Sequence, residues 1–587
     1  IDKYLSHRGP DSKKKIFQKE DLFFISRFYR LSIIDVNKRS NQPFRFKDLI
    51  LTFNGEIYNY LEIKEYLKNK YKAKFETESD TEVLIQFLFY EGIQNINKLK
   101  GMWSFVLFNK KTKKTIICRD RFGEKNLFCY FNNKEIHFCS EIAALVKNLK
   151  LNSINENYIN KYLFCSYRYL NFNNETLYKN ITNIEPGSYI IIDKQFNIKK
   201  RKYFKIKSDL KQSSFSRNTI IKNVRNLLKD TVIKTMRSDV KLAFCLSGGV
   251  DSSGLVSIAK KILNKNIKTY TIYSDDKKYN EFNSVKKTIK KLGINKHKWV
   301  YLNKNNTFKN LKSILKKRLT PLPTLTSYIQ WNLMREISKD GYKVVISGNG
   351  ADEMFSGYYD HYLCFFSDIK DKKKRNKELS CWKKNILPLI RNKDFRNANY
   401  FKKNNFPKYL ISFDQNLAKE FSKKNIKRLR FIQKKYDNSF LKNRMKNEMF
   451  RESLPVILNE EDLNSMYFSI ENRSPYLDNN IYSFMEQVQV KNYINNGFAK
   501  SILRDSLKNI APRHIINNHE KIGFNIDIDE IINFNSKTIK QFLLKKSYMF
   551  NYIKYQKIKK ILNNSELIGE YKNFLFKILN LKIVFDS

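Results

Sequence analysis

The sequence predicts two domains of different class: an α+β layered-sheet domain, then an α/β parallel-sheet domain whose C-terminal part is mostly helical. Three observations predict it. Short β-rich runs dominate up to about residue 192, strand and helix then alternate at a regular interval, and helical spacing prevails beyond about Tyr358. At roughly 150 residues per domain, 587 residues exceed one small module. With 42% hydrophobic and 14% aromatic residues the chain can build buried cores.

In the first part, residues 22–25, 49–53, 105–108, 115–118, 136–139 and 188–192 read as strands between Asn, Lys and Gly punctuation. Residues 60–69 and 81–91 carry helical spacing between them. This expected domain spans 1–196. Residues 197–217 read as a basic, Ser-containing linker with solvated charge. In the expected second domain, 218–587, Ile220, Ile221, Val224, Leu227 and Leu228 mark one face of a helix. Strands are expected at 240–246, 267–273, 299–302 and 344–346, with helices from Ser253, over 284–292 and over 327–338. That alternation means βαβ units and a parallel sheet.

The net charge of +55 raises nucleic acid or an anionic membrane as a partner. The basic residues are instead scattered along the chain, together with abundant Asn, Ile, Phe and Tyr, and no basic stripe or Gly/Pro-rich tail stands out. Neither nucleic acid nor membrane is therefore expected. The seven cysteines are widely spaced without a C-x-x-C pair, which fits a reducing compartment. No apolar run reaches the ~18 residues of a membrane span, and a soluble, cytoplasmic protein is expected.

Leu246-Ser-Gly-Gly-Val-Asp-Ser-Ser253 lies between a strand and a helix, where a parallel sheet presents its ligand crevice. Gly248 and Gly249 allow close backbone approach to phosphate, and the loop amides can donate to it. Ser247, Ser252 and Ser253 add hydroxyls, and Asp251 suits the Mg²⁺ that accompanies a nucleotide. No Lys follows the glycines, so this is not a Walker A loop. A second loop, Ile346-Ser-Gly-Asn-Gly-Ala-Asp-Glu353, follows the strand at 344–346. It would place Asp352 opposite Asp251, sharing the metal.

These loops, with Ser469-Ile-Glu-Asn-Arg-Ser-Pro-Tyr-Leu-Asp478, Lys500 in Ala-Lys-Ser-Ile-Leu-Arg504 and Lys521 in Lys-Ile-Gly-Phe524, resemble the synthetase domain of glutamine-dependent asparagine synthetases. The first loop resembles the PP-loop of ATP pyrophosphatases. The resemblance implies that ATP activates a side-chain carboxylate as an acyl-adenylate, which ammonia then opens. It places Leu246, Ile272, Ser347 and Gly348 against the nucleotide and Lys500 where negative charge grows. Taken alone, Lys500 reads as an exposed helical lysine.

His7-Arg-Gly-Pro-Asp11, Arg30 through Leu31, Ser32, Ile33 and Ile34, Asn54-Gly55-Glu56, Ser79-Asp80 and Arg119-Asp-Arg-Phe-Gly123 stand in the order of class II glutamine amidotransferase domains, an Ntn-hydrolase arrangement. Arg30 suits the α-carboxylate of glutamine, Asp80 its ammonium, and Glu56 a further hydrogen bond. The Asn54 side chain and Gly55 N–H suit the oxyanion. Singly, Asn54-Gly55 reads as a hairpin turn. The family's nucleophile is an N-terminal Cys, absent from this chain, which starts at Ile1. The intact glutamine residues favour an incomplete N-terminus; as it stands the chain is expected to use free ammonia.

Position 349 is Asn where these synthetases carry an acidic residue, and an amide cannot accept a proton at neutral pH. The paired loops and the glutamine-site residues make amidation of aspartate through β-aspartyl-AMP, with ammonia from glutamine, the expected reaction; Asn349 favours the alternative, a sugar acid or other carboxylate in surface-polysaccharide synthesis. A non-catalytic binding protein is the third reading. The family also allows a homodimer.

Overall fold

The computed structural model describes residues 2–19, 23–132, 135–206, 213–274, 281–302, 304–390, 392–401, 413–426, 429, 431–520, 526–564 and 569–587. Leu22, most of the second half of the expected linker, and the Lys521 match lie outside them.

The first part is an α+β stack. A six-stranded antiparallel sheet is built from β3 (Phe44–Phe46), β4 (Leu49–Ile57), β5 (Gly101–Asn109), β6 (Lys114–Arg119), β10 (Ser188–Ile192) and β11 (Ile198–Lys202), in the order β11-β10-β6-β5-β4-β3. Two smaller sheets accompany it. One is β1 (Ser12–Lys19) with β2 (Phe23–Arg30); the other is β7 (Phe128–Phe131) between β8 (Ile136–Cys139) and β9 (Ile181–Asn183). Alternation along the strands decides what faces what. Leu51, Phe53, Trp103, Phe105 and Leu107 pack on the helices Tyr60–Tyr71 and Asp80–Tyr90. On the opposite face Ile50 and Phe108 meet Ile16 and Phe24, and Ile117, Ile190 and Ile192 meet Cys129 and Ile184. The odd-even pattern of β4 thus turns Thr52, Asn54 and Glu56 into the space between sheets.

Residues 198–202 depart from the expected linker. They are the exposed edge strand β11, paired with β10 from Ser188↔Lys202 to Ile192↔Ile198. A Lys/Arg-rich sequence is a common way to finish a sheet edge.

The second part centres on five parallel strands: β12 (Leu242–Cys245), β13 (Lys268–Tyr273), β14 (Lys296–Tyr301), β15 (Val344–Ile346) and β16 (Glu471–Arg473). Their order is β14-β13-β12-β15-β16, a doubly wound sheet whose direction of winding reverses between β12 and β15. Phe244 and Ile346 pack on one side with the helices Arg217–Thr235, Val250–Ser257 and Phe282–Leu292. Ala243 and Val345 pack on the other with Leu333, Met334 and Ile337 of the helix Leu325–Lys339. β16 sits inside a stretch expected to be helical, and the helix Thr307–Arg318 joins the expected elements. Beyond β15 the chain is otherwise mainly helical up to Gly569–Phe585.

The two parts share buried contacts. Phe128, Ile142, Tyr158 and Phe164 of the first pack in one core with Leu311, Ile314, Phe574 and Leu575 of the second. Arg8 Nη2 reaches Asp462 at 2.8 Å, and Lys125 Nζ reaches the same carboxylate at 3.4 Å.

Candidate active site

Two cavities gather the residues singled out in the sequence. The first, about 840 Å³, lies between the sheets of the first part and is bordered by Arg30, Leu31, Ile33, Ile34, Asn54, Gly55, Glu56 and Asp80. Asn54 and Gly55 are not a hairpin turn: they lie in mid-strand, opposite Ser104 and Trp103. Gly55 has φ +143°, and a Cβ there would fall 2.0 Å from Met102 O, so no other residue fits without moving β5. Ser79 Oγ accepts from Thr81 N at 3.1 Å and starts a helix with Asp80 at its first position. Burial pushes the Asp80 carboxyl up to about 6, against the Ile57 N–H that its Oδ2 accepts at 2.9 Å. Glu56 is pushed well above the usual carboxylate range by burial, then by Asp80 and Glu471. Its Oε2 is buried without a hydrogen-bond partner. Two adjacent buried acids with spare acceptor capacity suit an ammonium group.

Arg30 differs in detail from the expectation. Its Nη1 donates to Asn37 O at 2.7 Å and Asn41 Oδ1 at 3.1 Å, and its Nη2 to Ile34 O at 3.3 Å and to Asp35 O. A bidentate grip on a carboxylate would require these donors to change partners. Ser32 does not border the cavity; its N–H donates to Asp11 Oδ2 at 2.7 Å.

The second cavity, about 450 Å³, opens over the C-terminal ends of β12 and β15. There the sheet reverses its winding, the usual crevice of an open α/β fold. It is bordered by Leu246, Ser247, Gly249, Asp251, Ser252, Ile272, Ser347, Gly348, Asn349, Asp352 and Lys500. Within the first loop Ser252 Oγ accepts from Ser247 N at 2.9 Å, and Ser253 Oγ donates to Ser247 O at 3.0 Å. Ser253 is completely buried, so its hydroxyl braces the turn from behind instead of facing the cavity. The Gly248 N–H faces Glu281, whose carboxyl burial pushes up to about 7.

The two loops touch. A Cβ on Gly348 would stand 3.0 Å from Asp251 Cβ. Asp251 and Asp352 both pair with Lys500 Nζ at 2.6 Å. Lys500 is only 6% exposed and stands immediately before a helix at φ +55°, so the surface-lysine reading fails. Two carboxylates gathered on one ammonium are spaced to share one cation, and an all-oxygen donor set suits Mg²⁺. Gly357 makes room for them: a Cβ there would fall 1.8 Å from Asp352 Oδ1 and 2.2 Å from Lys500 Cε.

The comparisons agree with this two-part layout. The family model described as asparagine synthase matches residues 223–582. The chain belongs to the asparagine synthase family. The model of a glutamine amidotransferase domain matches residues 1–204 of this family member. Asparagine synthetase [glutamine-hydrolyzing] 1 of Bacillus subtilis (strain 168) is 29% identical over 553 residues, 90% of this chain and 83% of the relative. Putative asparagine synthetase [glutamine-hydrolyzing] 2 of Methanocaldococcus jannaschii is 29% identical over 382 residues, 62% and 72% of the respective chains. A solved structure described as the allosteric regulatory enzyme of purine biosynthesis aligns at 14% identity and TM-score 0.27, covering 51% of this chain and 76% of that one.

Several residues of the second cavity in this family member were not singled out as site residues by the sequence. Glu281, Gln330, Tyr358 and Glu461 border it from four separate stretches, and Glu353 and Arg504, which only close quoted motifs, border it too. Glu353 is pushed up to about 7 by burial and by Asp352, while Tyr358 OH donates to its Oε1 at 2.5 Å. Arg473 on β16 belongs to both halves: its carbonyl accepts Ser347 N at 3.0 Å, and its Nη2 lies 3.3 Å from Glu56 Oε1.

Proposed function

We propose that the chain amidates aspartate at the expense of ATP through an aspartyl-adenylate, with ammonia drawn from glutamine. The observation that carries this reading is the meeting of Asp251, Asp352 and Lys500 beneath two glycine loops at the point where the sheet reverses. The loop amides, Ser247 and Ser252 would hold phosphate oxygens, and Leu246, Ile272 and Met334 would form the apolar wall beside the base. Asp251 and Asp352 would hold Mg²⁺, which when bound offsets phosphate charge. Lys500 would stabilise charge developing between adenylate and pyrophosphate. In the first cavity Asp80 and Glu56 would receive the glutamine ammonium, Arg30 its carboxylate, and Asn54 with the Gly55 N–H the oxyanion. A third cavity, about 750 Å³, adjoins the nucleotide cavity, since Val456 and Glu460 border both.

The decisive measurement is ATP–pyrophosphate exchange with Mg²⁺. Exchange that depends on aspartate is expected; exchange only with uronic acids would transfer the same machinery to a sugar acid. Absence of exchange with every carboxylate would end the reading. The sugar-acid alternative draws its support from Asn349, an amide where the resemblance expects an acid.

Gly357→Ala tests the geometry. The added methyl must displace Asp352 or the Lys500 stem, and misplacement of about 1 Å costs about 100-fold. Exchange is expected to fall by that order with the circular dichroism spectrum unchanged.

A further inference from the structure

We propose that Glu461 is the proton acceptor for the nitrogen that attacks the activated carboxyl, an inference that rests on the amidation reading above. Glu461 lies in the helix Ser453–Met466 and borders the cavity together with Asn349, Gly348 and Lys500. Its Oε2 accepts Asn472 Nδ2 at 3.0 Å. Burial pushes its carboxyl up to about 7, although the amides of Asn349 and Gln330 favour the charged form and Glu460 opposes it. The carboxylate is thus held by neutral amides from three elements: the second loop, the helix Leu325–Lys339 and β16. The titratable groups beside it are Glu460, which Arg318 neutralises at 2.6 Å, and Cys245, whose thiol is raised by burial and then by Glu461 itself.

The other acids in the cavity, apart from the exposed Glu520, are placed for other work. Glu281 faces the Gly248 N–H in the phosphate loop, Glu353 accepts from Tyr358, and Asp251 and Asp352 hold Lys500. Asn349 is bound to Ser347 Oγ at 3.0 Å and has no site for a proton. A carboxyl near 7 is matched to proton acceptance at neutral pH.

The step balances without a further reactant. The ammonia lone pair forms the C–N bond while the carbonyl π pair moves to oxygen. One proton of the resulting ammonium passes to Glu461. Re-formation of C=O then breaks the bond to the adenylate oxygen, and AMP leaves with the electron pair. Glu461 returns its proton to solvent.

The test uses the full chain with ammonium chloride as nitrogen source and reads exchange and amide formation separately. In Glu461→Gln, exchange is expected to stay within about twofold while amide formation falls by roughly 100-fold. Amide formation per free ammonia should rise through about pH 7 in the unmodified protein, and this limb should vanish in the variant. Unchanged amide formation in Glu461→Gln, or an equal fall of both activities, would overturn the proposal. If Glu461→Gln does not fold, Glu461→Asp decides: slowed amide formation with preserved exchange and a preserved pH limb supports the role, and parallel slowing removes it. Absence of exchange in the unmodified protein would instead defeat the amidation reading itself, whatever Glu461 does.

Discussion

Asp251→Asn is expected to lower aspartate-dependent ATP–pyrophosphate exchange by about 1,000-fold, the scale reached when one preorganised charge is taken from a developing anion or its metal. The substitution keeps shape and removes one negative charge. Lys500 retains Asp352 at 2.6 Å, so the buried ammonium keeps a partner and the fold should survive. Lys500→Met supplies the contrast. It also removes exchange, but it takes away the ammonium that Asp251 and Asp352 share, and breaking a buried ion pair costs about 3–5 kcal/mol. Its melting temperature should therefore fall clearly below that of Asp251→Asn. Added Mg²⁺ should recover more of the loss in Lys500→Met than in Asp251→Asn, because two carboxylates remain to receive it. Exchange that survives in Asp251→Asn would remove this residue from the chemistry and leave the loop as a structural turn.

The parts that were legible in the sequence owe this to local rules. β-rich runs marked the first half of β4 and the middle of β5; the strand continues past the expected end at 53 to Ile57, which turns Asn54 and Glu56 inward. Glycine loops after β12 and β15 declared the second cavity, because only a sheet edge with room for a ligand needs backbone so bare. What stayed hidden depends on contacts distant in sequence. β16 reads Glu-Asn-Arg, a poor strand by propensity, and it is buried because Arg473 finds Glu471, Glu56 and two carbonyls. Lys500 is buried because Asp251 and Asp352 arrive from elements about 250 and 150 residues earlier. Glu461 has no motif of its own; its surroundings come from Gln330, Asn349 and Asn472. The edge strand β11 was read as a linker because its five residues are all exposed and mostly cationic, which a solvated tether and a protected sheet edge share.

Arg473→Met should destabilise the protein more than any change at the surface, and the loss should depend on pH. Arg473 is fully buried, donates to Thr235 O at 2.8 Å, Arg237 O at 2.7 Å and Glu471 Oε1 at 2.8 Å, and pairs with Glu56. Removing it takes the cation from Glu56 and two carbonyls and leaves Glu471 only Lys125 Nζ, at 3.8 Å, at a cost of about 3–5 kcal/mol. Glu56 is already held above its usual range by burial, and loss of Arg473, which lowers it, must push it higher. A carboxyl raised in the folded state binds more protons there than when unfolded, so stability falls as pH rises through the interval between the two values. The melting-temperature gap between the unmodified protein and Arg473→Met, followed from pH 5.5 to pH 8, should thus widen as pH rises, because Glu56 loses the cation that lowers it. Arg473→Met combined with Glu56→Gln should close part of the gap at pH 8. Because the Arg473 carbonyl also receives Ser347 N, the buried acids of the first cavity and the second glycine loop are tied to one residue of β16. A gap that does not change with pH would show that lost packing, not stranded charge, is what the substitution costs.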